Sequence, residues 1–522
     1  MNRQQKMTVS SVVGAAALLG GASGALGATA CEDLTGLDLP DTRITLAERV
    51  PAGTFTPPGP AQGPARGNRA LEVPAMCRVA GVVEPAIRFE VWLPEGEGWN
   101  GRFQAVGGGG LAGIISYPAL AEAVRAGYAS ASTDTGHEAG DTAWLSDRQR
   151  VIDYGYRAIH EMTVKAKAVI EAHYGDGPEY SYFNGCSTGG RQGLMEAQRF
   201  PEDYDGIVSG APVNTFTHLH IGQLWTAHAT LTTPGAVLTP EDLTLVSNAV
   251  IEACDADDGV EDGILTDPRT CDFDPSVLQC QSGRTEQCLA PQQIDALEKI
   301  YQGAVNPRTG AQIYPGLEPG SEGPQPNNPG WALIMNGREP FAIDIAVIGG
   351  MAFENPSWDW RTFDFDSDVE LVDAKLYGVL NAVDPDLRDF KGHGGKLIVY
   401  HGWNDPGVMP RQTIHYYDNV VEHAAKSTGG DGKAFTDEYL RLFMMPGMGH
   451  CRGGTGPDRA DFMAAIAAWV EEGKAPERIV ARKEQDGEVV MTRPLCPHPQ
   501  VARYRGRGDP NDERSFECAA PE

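Results

Sequence analysis

A serine between two glycines gives the first indication of chemistry in this sequence. Residues 185–189 read Gly-Cys-Ser-Thr-Gly, which fits the pattern G-x-S-x-G, and they lie between a predicted strand and a predicted helix. In that setting the pattern is typical of a nucleophile elbow, a sharp turn that exposes the serine hydroxyl above the end of a sheet. We therefore predict that Ser187 is a nucleophile that attacks an ester carbonyl.

Such a serine needs a base and an acid that orients the base, and in enzymes with this elbow both follow the serine, the acid first. Asp405 follows a buried predicted strand, and His450 lies in the loop after the next strand. His415 and His423 fall within a predicted helix, and His137 precedes the serine, so it is interpreted as structural or near the pocket. The order predicts that His450 accepts the serine proton while Asp405 holds the imidazole.

Two backbone N–H groups must stabilise the oxyanion that this attack creates. One is expected at Thr188, directly after the nucleophile. The other is expected in residues 107–110, four glycines after an early predicted strand, where the missing side chains permit close approach; we favour Gly109 or Gly110. A phosphate-binding interpretation of this run requires a downstream Lys-Ser or Lys-Thr pair, which the sequence lacks.

Ten cysteines, an even number, predict disulfide bonds if the chain is exported, although sequence alone does not fix their pairing. A zinc site is not expected, because the sequence contains no C-x-x-C pair. Two of the cysteines directly flank the predicted nucleophile and base, so they can bond if those side chains meet over the sheet. Proximity in sequence favours three further pairs: Cys254–Cys271, Cys280–Cys288 and Cys496–Cys518.

The combination Cys186-Ser187, Asp405 and His450-Cys451 resembles the signature of the tannase/feruloyl esterase family of α/β-hydrolases, in which the two cysteines are disulfide-bonded. The resemblance covers nearly the whole chain after its N-terminal segment. It implies an α/β-hydrolase fold with a large inserted lid domain, and a serine esterase that uses no organic cofactor. It also implies the disulfides Cys31–Cys77 and Cys186–Cys451 beside the three local pairs.

Residues 254–264 are dense in carboxylates, and such oxygen ligands in a tight loop suit Ca²⁺. The stretch is not an EF-hand, because a loop counted from Asp258 ends at Arg269, where a bidentate Glu is needed. The lid of the family that the chain resembles holds a calcium ion in a similar stretch. That resemblance implies five ligands, three side chains and two backbone carbonyls: Asp255, Asp258 and Asp262, and Val260 and Ile264. A solvated acidic loop is the alternative.

The family that the chain resembles cleaves esters of hydroxycinnamic or gallic acid and mono(2-hydroxyethyl) terephthalate, so an aromatic acyl group is expected beneath the lid. Arg338 is a candidate partner for a substrate carboxylate, and Val408 for the pocket wall. Most lid aromatics in any protein belong to its core, so the aromatic contacts are candidates only: Trp225, Trp331, Phe341, Phe353, Trp358 and Trp360. The alternative function is a non-catalytic, calcium-stabilised protein that binds polyphenol or polysaccharide.

The elements that must position these residues alternate between strand and helix, which indicates a parallel sheet with helices on both faces. Strands are predicted at 87–93, 102–106, 128–134, 180–184, 204–211, 396–401 and 439–444, and helices at 118–126, 152–174, 189–200, 413–425 and 459–471. Residues 31–80 are rich in Pro and Gly and are interpreted as an irregular surface wrap. The alternation breaks between 213 and 390, which predicts a core of 31–212 and 391–522 interrupted by a lid domain of 213–390.

The N-terminus reads as a secretory signal peptide of residues 1–30, because Arg3 and Lys6 precede a short apolar stretch and Ala28-Thr29-Ala30 offers a cleavage site. This predicts a secreted or periplasmic protein. A lipid-anchored Cys31 is a weaker interpretation, since Ala28 occupies the position where such signals prefer Leu.

The net charge of −29 makes nucleic acid an unexpected partner, because the chain repels phosphate backbones. No later apolar run has the length of a membrane span. A small aromatic ester is therefore the expected partner, and nothing in the sequence indicates an oligomeric state.

Overall fold

A computed structural model describes residues 28–58, 70–281, 286–335 and 339–521. Within them, nine strands form one central sheet in the order β1-β2-β3-β5-β4-β6-β7-β8-β9. The strands are β1 (Thr42–Val50), β2 (Met76–Val83), β3 (Ile87–Pro94), β4 (Arg102–Val106), β5 (Ala129–Thr133), β6 (Tyr180–Cys186), β7 (Gly206–Gly210), β8 (Lys396–Gly402) and β9 (Leu440–Met445).

The sheet is mixed, which corrects the prediction of a parallel sheet. Strands β4 to β9 pair in parallel with one another, whereas β1, β2 and β3 pair in antiparallel fashion and β3 also pairs antiparallel with β5. The interpretation of residues 31–80 as an irregular wrap is wrong, because β1 and much of β2 lie there. In β1, Ile44 and Leu46 alternate with polar residues, as expected for an edge strand with one solvent-exposed face. The Pro and Gly residues lie in the connections on either side of it.

Eight helices of nine or more residues occur in the described parts of the chain: α1 (Tyr117–Arg125), α2 (Ala158–Tyr174), α3 (Thr188–Arg199), α4 (Phe216–Leu231), α5 (Pro240–Cys254), α6 (Pro291–Gln302), α7 (Pro410–Thr428) and α8 (Phe462–Glu472). Side chains of β8 show that helices cover both sheet faces. Val399 lies in a hydrophobic cluster with α2, α3 and α7, and its neighbour Ile398 lies in another with α8. This is the α/β-hydrolase architecture that the sequence predicts.

The chain between β7 and β8 leaves the sheet and builds most of a hydrophobic cluster from α4, α5, α6 and the turns that follow, which Trp144, Tyr154 and Val408 join from outside the segment. It includes a short hairpin, Ala304–Val305 with Gln312–Tyr314, and a π-helical segment, Ile345–Ala352. The lid boundaries at 213 and 390 stay a prediction. After α8 the chain adds two further hairpins, Ile479–Gln485 with Glu488–Leu495 and Val501–Tyr504 with Phe516–Ala519.

Five disulfide bonds join all ten cysteines in the pairs that the resemblance implies: Cys31–Cys77, Cys186–Cys451, Cys254–Cys271, Cys280–Cys288 and Cys496–Cys518. The sulfur of Cys31 is therefore bonded to Cys77 and cannot also carry a lipid, which corrects the lipid-anchor interpretation. Most of the predicted signal peptide lies outside the described residues. Among those described, no helix combines the length and the apolar character needed to cross a bilayer.

Candidate active site

Ser187 occupies the single position between the end of β6 and the start of α3. Its backbone angles, φ 65° and ψ −122°, are rarely adopted by a residue with a side chain, and such strain is often found at functional sites. The turn leaves no room for a side chain at position 185, since a Cβ on Gly185 would lie 2.6 Å from the backbone of Gly189. The local geometry is that of the predicted nucleophile elbow.

The predicted acid and base are in contact. Nδ1 of His450, in the loop after β9, lies 2.7 Å from Oδ2 of Asp405, in the loop after β8. The other carboxylate oxygen of the fully buried Asp405 accepts hydrogen bonds from the backbone N–H groups of Gly407 and Val408, at 2.8 and 2.9 Å. The carboxylate is thus fixed at both oxygens, and it orients the imidazole ring.

The disulfide Cys186–Cys451 joins the elbow to the loop that carries His450. It closes a separation of 265 residues and holds the two Cα atoms 6.1 Å apart. Ser187 and His450 are the direct neighbours of these cysteines, so the bridge keeps nucleophile and base in adjoining turns. The His450 side chain is 26% exposed, which leaves it accessible to a substrate.

The protonation states of the pair follow from its surroundings. Burial alone would raise the pKa of Asp405, but the charge of His450 and the hydrogen bonds from His401 and His450 hold that pKa well below its usual range. Burial lowers the pKa of His450, but attraction to Asp405 and their hydrogen bond outweigh it and raise that pKa above 6.5. A charged Asp405 therefore favours the imidazolium that forms when His450 takes a proton.

A second histidine, His401 at the end of β8, also contacts Asp405, a contact that is not among the predictions from the sequence. Its Nε2 lies 3.1 Å from Oδ2 of Asp405 and 3.0 Å from the carbonyl oxygen of Val408, and its Nδ1 lies 2.7 Å from the Thr413 hydroxyl. The one available signal for this contact in the sequence is an imidazole in a mostly apolar strand, four residues before Asp405.

The glycine run after β4 is held in place by side chains around the elbow. The Thr188 hydroxyl donates to the carbonyl of Gly110 at 2.6 Å, and the Tyr154 hydroxyl donates to the same oxygen at 3.0 Å. His137, interpreted from the sequence as structural or near the pocket, contacts the next carbonyl, that of Leu111, through Nε2 at 2.7 Å. Three side chains thus fix the loop that is predicted to supply an oxyanion donor.

Hydrogen bonding narrows the choice of oxyanion donors in this loop. The N–H of Gly108 donates to Oε1 of Gln192, and that of Ala112 donates to the carbonyl of Gly109. Among the described residues, the N–H groups between them, at 109–111, donate to no acceptor. Gly109 and Gly110 therefore stay available for the predicted role. Thr188 is the first residue of α3, where the helix supplies no acceptor for its N–H.

The aromatic lid candidates serve largely to pack the lid. Trp331 is fully buried and its indole N–H donates to Ser321, while the indoles of Trp225 and Trp360 donate to Lys299 and Glu339. Phe353 and Trp358 stack on each other with ring centroids 5.1 Å apart, and Phe341 is partly buried. Val408 is buried beside Asp405, and Arg338 lies outside the described residues. Substrate contact by any of them stays a prediction.

The carboxylates predicted to bind calcium lie in one loop and accept hydrogen bonds from its backbone. Asp255 accepts from Gly263 and Ile264, and Asp258 accepts from Val260 and Thr266. Burial raises the pKa of Asp258, and repulsion from the carboxylate of Asp262 raises it further. The carboxylates of this loop are therefore close enough to repel one another.

The backbone carbonyls of the proposed calcium ligands also fit. Ile264 is only 1% exposed, yet its carbonyl, like that of Val260, accepts no hydrogen bond from the described residues. The ligand atoms of the three carboxylates do not all lie within 4.8 Å of one another. Oxygen donors of this kind suit Ca²⁺, so calcium binding stays a prediction, and the loop lies away from Ser187 in sequence.

Comparison with known proteins gives consistent relatives along almost the whole chain. A family model described as tannase and feruloyl esterase matches residues 70–519. An uncharacterized esterase of Xanthomonas campestris pv. campestris is 40% identical, over 94% of this chain and 91% of that protein. The mono(2-hydroxyethyl) terephthalate hydrolase of Piscinibacter sakaiensis is 34% identical, over 87% of this chain and 86% of that protein.

A solved structure of feruloyl esterase B from Aspergillus oryzae has the same fold. It superposes with a TM-score of 0.84 at 30% sequence identity, covering 94% of this chain and 99% of that one. The similarity therefore includes both the sheet and the segment inserted between β7 and β8.

Proposed function

Because this chain belongs to the tannase and feruloyl esterase family of carboxylic ester hydrolases, we propose that it cleaves esters of aromatic acids through a covalent intermediate on Ser187. The observation that carries the proposal is the hydrogen bond between Asp405 and His450, held next to the strained Ser187 by a disulfide bond. Three features support the proposed triad: the strained turn at Ser187, the buried carboxylate of Asp405 and the hydrogen bond between that carboxylate and His450.

The proposed reaction has two halves. The Ser187 oxygen attacks the ester carbonyl while His450 takes the hydroxyl proton, and the new oxyanion accepts hydrogen bonds from the N–H of Thr188 and that of Gly109 or Gly110. The C–O bond then breaks, and His450 returns the proton to the leaving alcohol. Water, deprotonated by His450, attacks the acyl-enzyme and releases the free acid and Ser187.

Two relatives suggest the acyl group: one is a feruloyl esterase and the other a mono(2-hydroxyethyl) terephthalate hydrolase. We propose that this chain accepts a feruloyl or other hydroxycinnamoyl, a galloyl or a monoester terephthaloyl group. A panel of methyl ferulate, chlorogenate, methyl gallate and mono(2-hydroxyethyl) terephthalate distinguishes these classes by kcat/KM.

We further propose that the carboxylate loop binds a structural Ca²⁺ through Asp255, Asp258 and Asp262 and through the carbonyls of Val260 and Ile264. Bound there, the ion would neutralise neighbouring carboxylates and would take no part in ester cleavage. A secreted or periplasmic location is also part of the proposal, and the five disulfide bonds support it, because such bonds persist in oxidising compartments.

Covalent labelling tests the proposed nucleophile. A fluorophosphonate should modify Ser187, and Ser187→Ala should abolish labelling and lower kcat by roughly 10⁴-fold to 10⁶-fold. Ser427→Ala, at the exposed end of α7, is the matched control and should keep both properties. Retention of most activity by Ser187→Ala would show the assignment to be wrong. Binding of the aromatic esters without labelling or turnover would instead favour the non-catalytic polyphenol- or polysaccharide-binding alternative.

A further inference from the structure

One oxygen of Asp405 serves two histidines. Oδ2 lies 2.7 Å from Nδ1 of His450 and 3.1 Å from Nε2 of His401. His401 and Asp405 are both fully buried, so the contact between them is shielded from water. A buried hydrogen bond to a charged group is among the stronger polar contacts in a protein, and its loss is correspondingly costly.

The surroundings of His401 fix which of its nitrogens carries the proton. Nε2 faces only oxygen acceptors, the carboxylate of Asp405 and the carbonyl of Val408, so it carries the hydrogen. Nδ1 faces the hydroxyl of Thr413, which can donate to it. With this placement both nitrogens have a hydrogen-bond partner, and Oδ2 of Asp405 accepts from Nε2 of His401 as well as from Nδ1 of His450.

The same contacts form a closed ring of hydrogen bonds around the loop after β8. The N–H of Val408 donates to Oδ1 of Asp405, and the carbonyl of Val408 accepts from Nε2 of His401. Rotation of the Asp405 carboxylate would break bonds at both oxygens at once. With His401 in place, one orientation of the carboxylate is therefore strongly favoured.

We propose that His401 is a positioning residue, whose Nε2–H fixes the carboxylate of Asp405 so that Oδ2 holds His450 ready to deprotonate Ser187. The inference rests on the proposed function and assigns to that site a fourth side chain, which does not itself touch substrate. Thr413 belongs to the same arrangement, because its hydroxyl keeps the His401 proton on Nε2.

The role has an electrostatic consequence that can be measured. The titratable groups that face Asp405 are His401, His450 and Tyr314, and burial raises the pKa of Tyr314 so far that it stays neutral. Without the His401 N–H, Oδ2 loses one donor and becomes more basic. It then pairs more strongly with the His450 imidazolium, so the acid limb of the kcat/KM profile should move to higher pH.

Substitution of His401 tests the proposal. His401→Leu removes the donor and should lower kcat on the order of 10-fold to 100-fold, with KM nearly unchanged and the acid limb moved upward. His401→Gln restores an N–H donor close to the position of Nε2 and should recover most of the activity. His423→Leu makes the same change on α7, ten residues beyond Thr413, and should behave as the wild type.

Three results would overturn the proposal: a folded His401→Leu protein with wild-type kcat and pH profile, a folded His401→Gln protein as impaired as His401→Leu, or a loss confined to KM. If His401→Leu fails to fold, Thr413→Val provides the test in its place. It leaves a buried nitrogen without its donor and should cost several-fold in kcat, so wild-type kinetics would contradict the inference.

Fluorophosphonate labelling of the wild type separates this inference from the proposed function. An unlabelled Ser187 with no ester turnover would refute the proposed function itself. A labelled, active wild type with unchanged His401 and Thr413 variants would refute only the role of His401.

Discussion

At the scale of single residues, the Asp405 carboxylate governs the electrostatics of the site. Four donors surround it, two backbone N–H groups and two imidazoles, and together they keep it charged despite complete burial. That charge raises the pKa of His450. The base is consequently stronger than a free histidine, and it remains protonated to a higher pH.

The pH dependence of the reaction follows from this shift. His450 must be neutral to accept the Ser187 proton, so kcat/KM should fall as pH drops through the pKa of His450, with a midpoint above the ordinary value of 6.5. The measurement is a kcat/KM profile on the wild type and on Asp405→Asn. The variant should lose about 10⁴-fold in kcat. A wild-type midpoint below 6.5 would contradict the assigned pairing.

The elbow at Ser187 and the contact between Asp405 and His450 could be predicted because each residue lies in a short segment with its own signal: an elbow motif, or a loop after a buried strand. The contacts of His401 could not be predicted, because they depend on how the chain turns at 405–408 and brings a carbonyl and a carboxylate to one ring nitrogen. The choice among the glycines at 107–110 likewise depends on side-chain donors from distant segments, such as Gln192 and Tyr154.

At the scale of elements, the three residues stand at the carboxyl ends of parallel strands, where ligands bind in open α/β sheets. Strands β7 and β8 lie between β6 and β9, so β6 and β9 are roughly 14 Å apart at normal strand spacing. The loop that carries His450 must therefore cross back over the end of the sheet towards the elbow. It does so over Gly402, where a Cβ would lie 2.3 Å from the carbonyl oxygen of Met448. The bridge from Cys451 to Cys186 secures its far end.

Removal of that bridge should impair catalysis even in protein that stays folded. In the chain-entropy model, closing a loop of 265 residues stabilises the fold by about 5.6 kcal/mol. The bridge also fixes the position of His450, and displacements near about 1 Å can cost on the order of 10²-fold in rate. Cys186→Ala with Cys451→Ala should therefore lose kcat well below its melting temperature, with a smaller change in KM.

The control for that variant is Cys496→Ala with Cys518→Ala, which opens a bridge between the C-terminal hairpins and should keep the wild-type kcat while folded. Steady-state kinetics on the folded proteins gives the answer. A folded Cys186/Cys451 double variant with wild-type kcat would refute the catalytic role of the bridge.

The sequence predicted the elements around the site well, since strands and helices near the triad have strong hydrophobic patterns. It failed at β1 and at the first part of β2, because the many Pro and Gly residues in the connections between these two strands dominate the composition of residues 31–80. The antiparallel edge depends on hairpin pairing between β1, β2 and β3, which the βα alternation further along the chain does not indicate.

At the scale of the whole molecule, the carboxylate loop connects the inserted segment to the C-terminal hairpins. Arg493, completely buried, donates to Oδ2 of Asp262 at 2.6 Å, and its guanidinium lies over the ring of Phe516. A disulfide fixes the start of the loop through Cys254. An ion in this loop would therefore stabilise parts of the chain that are more than 200 residues apart, as are Asp262 and Arg493.

Chelation of calcium should lower the melting temperature, because a ligand bound only by the folded state stabilises it, by about 2.7 kcal/mol at one hundred times its Kd. Asp258→Asn should lower the melting temperature and reduce its response to calcium. Asp257→Asn, an exposed neighbour outside the proposed ligand set, should respond as the wild type. The calcium site would be contradicted if a chelator left the melting temperature unchanged, or if the protein contained no calcium after purification in calcium buffer.

The covalent link between elbow and base also bears on when the enzyme becomes active. Thiols stay reduced in the cytosol, so a newly made chain there would hold Cys186 and Cys451 unjoined, with the base attached to the nucleophile only through noncovalent contacts. Oxidation after export would complete the site. If the chain is exported as proposed and the bridge governs kcat as expected, the producing cell contains a latent esterase, and arrival in an oxidising compartment is the event that switches it on.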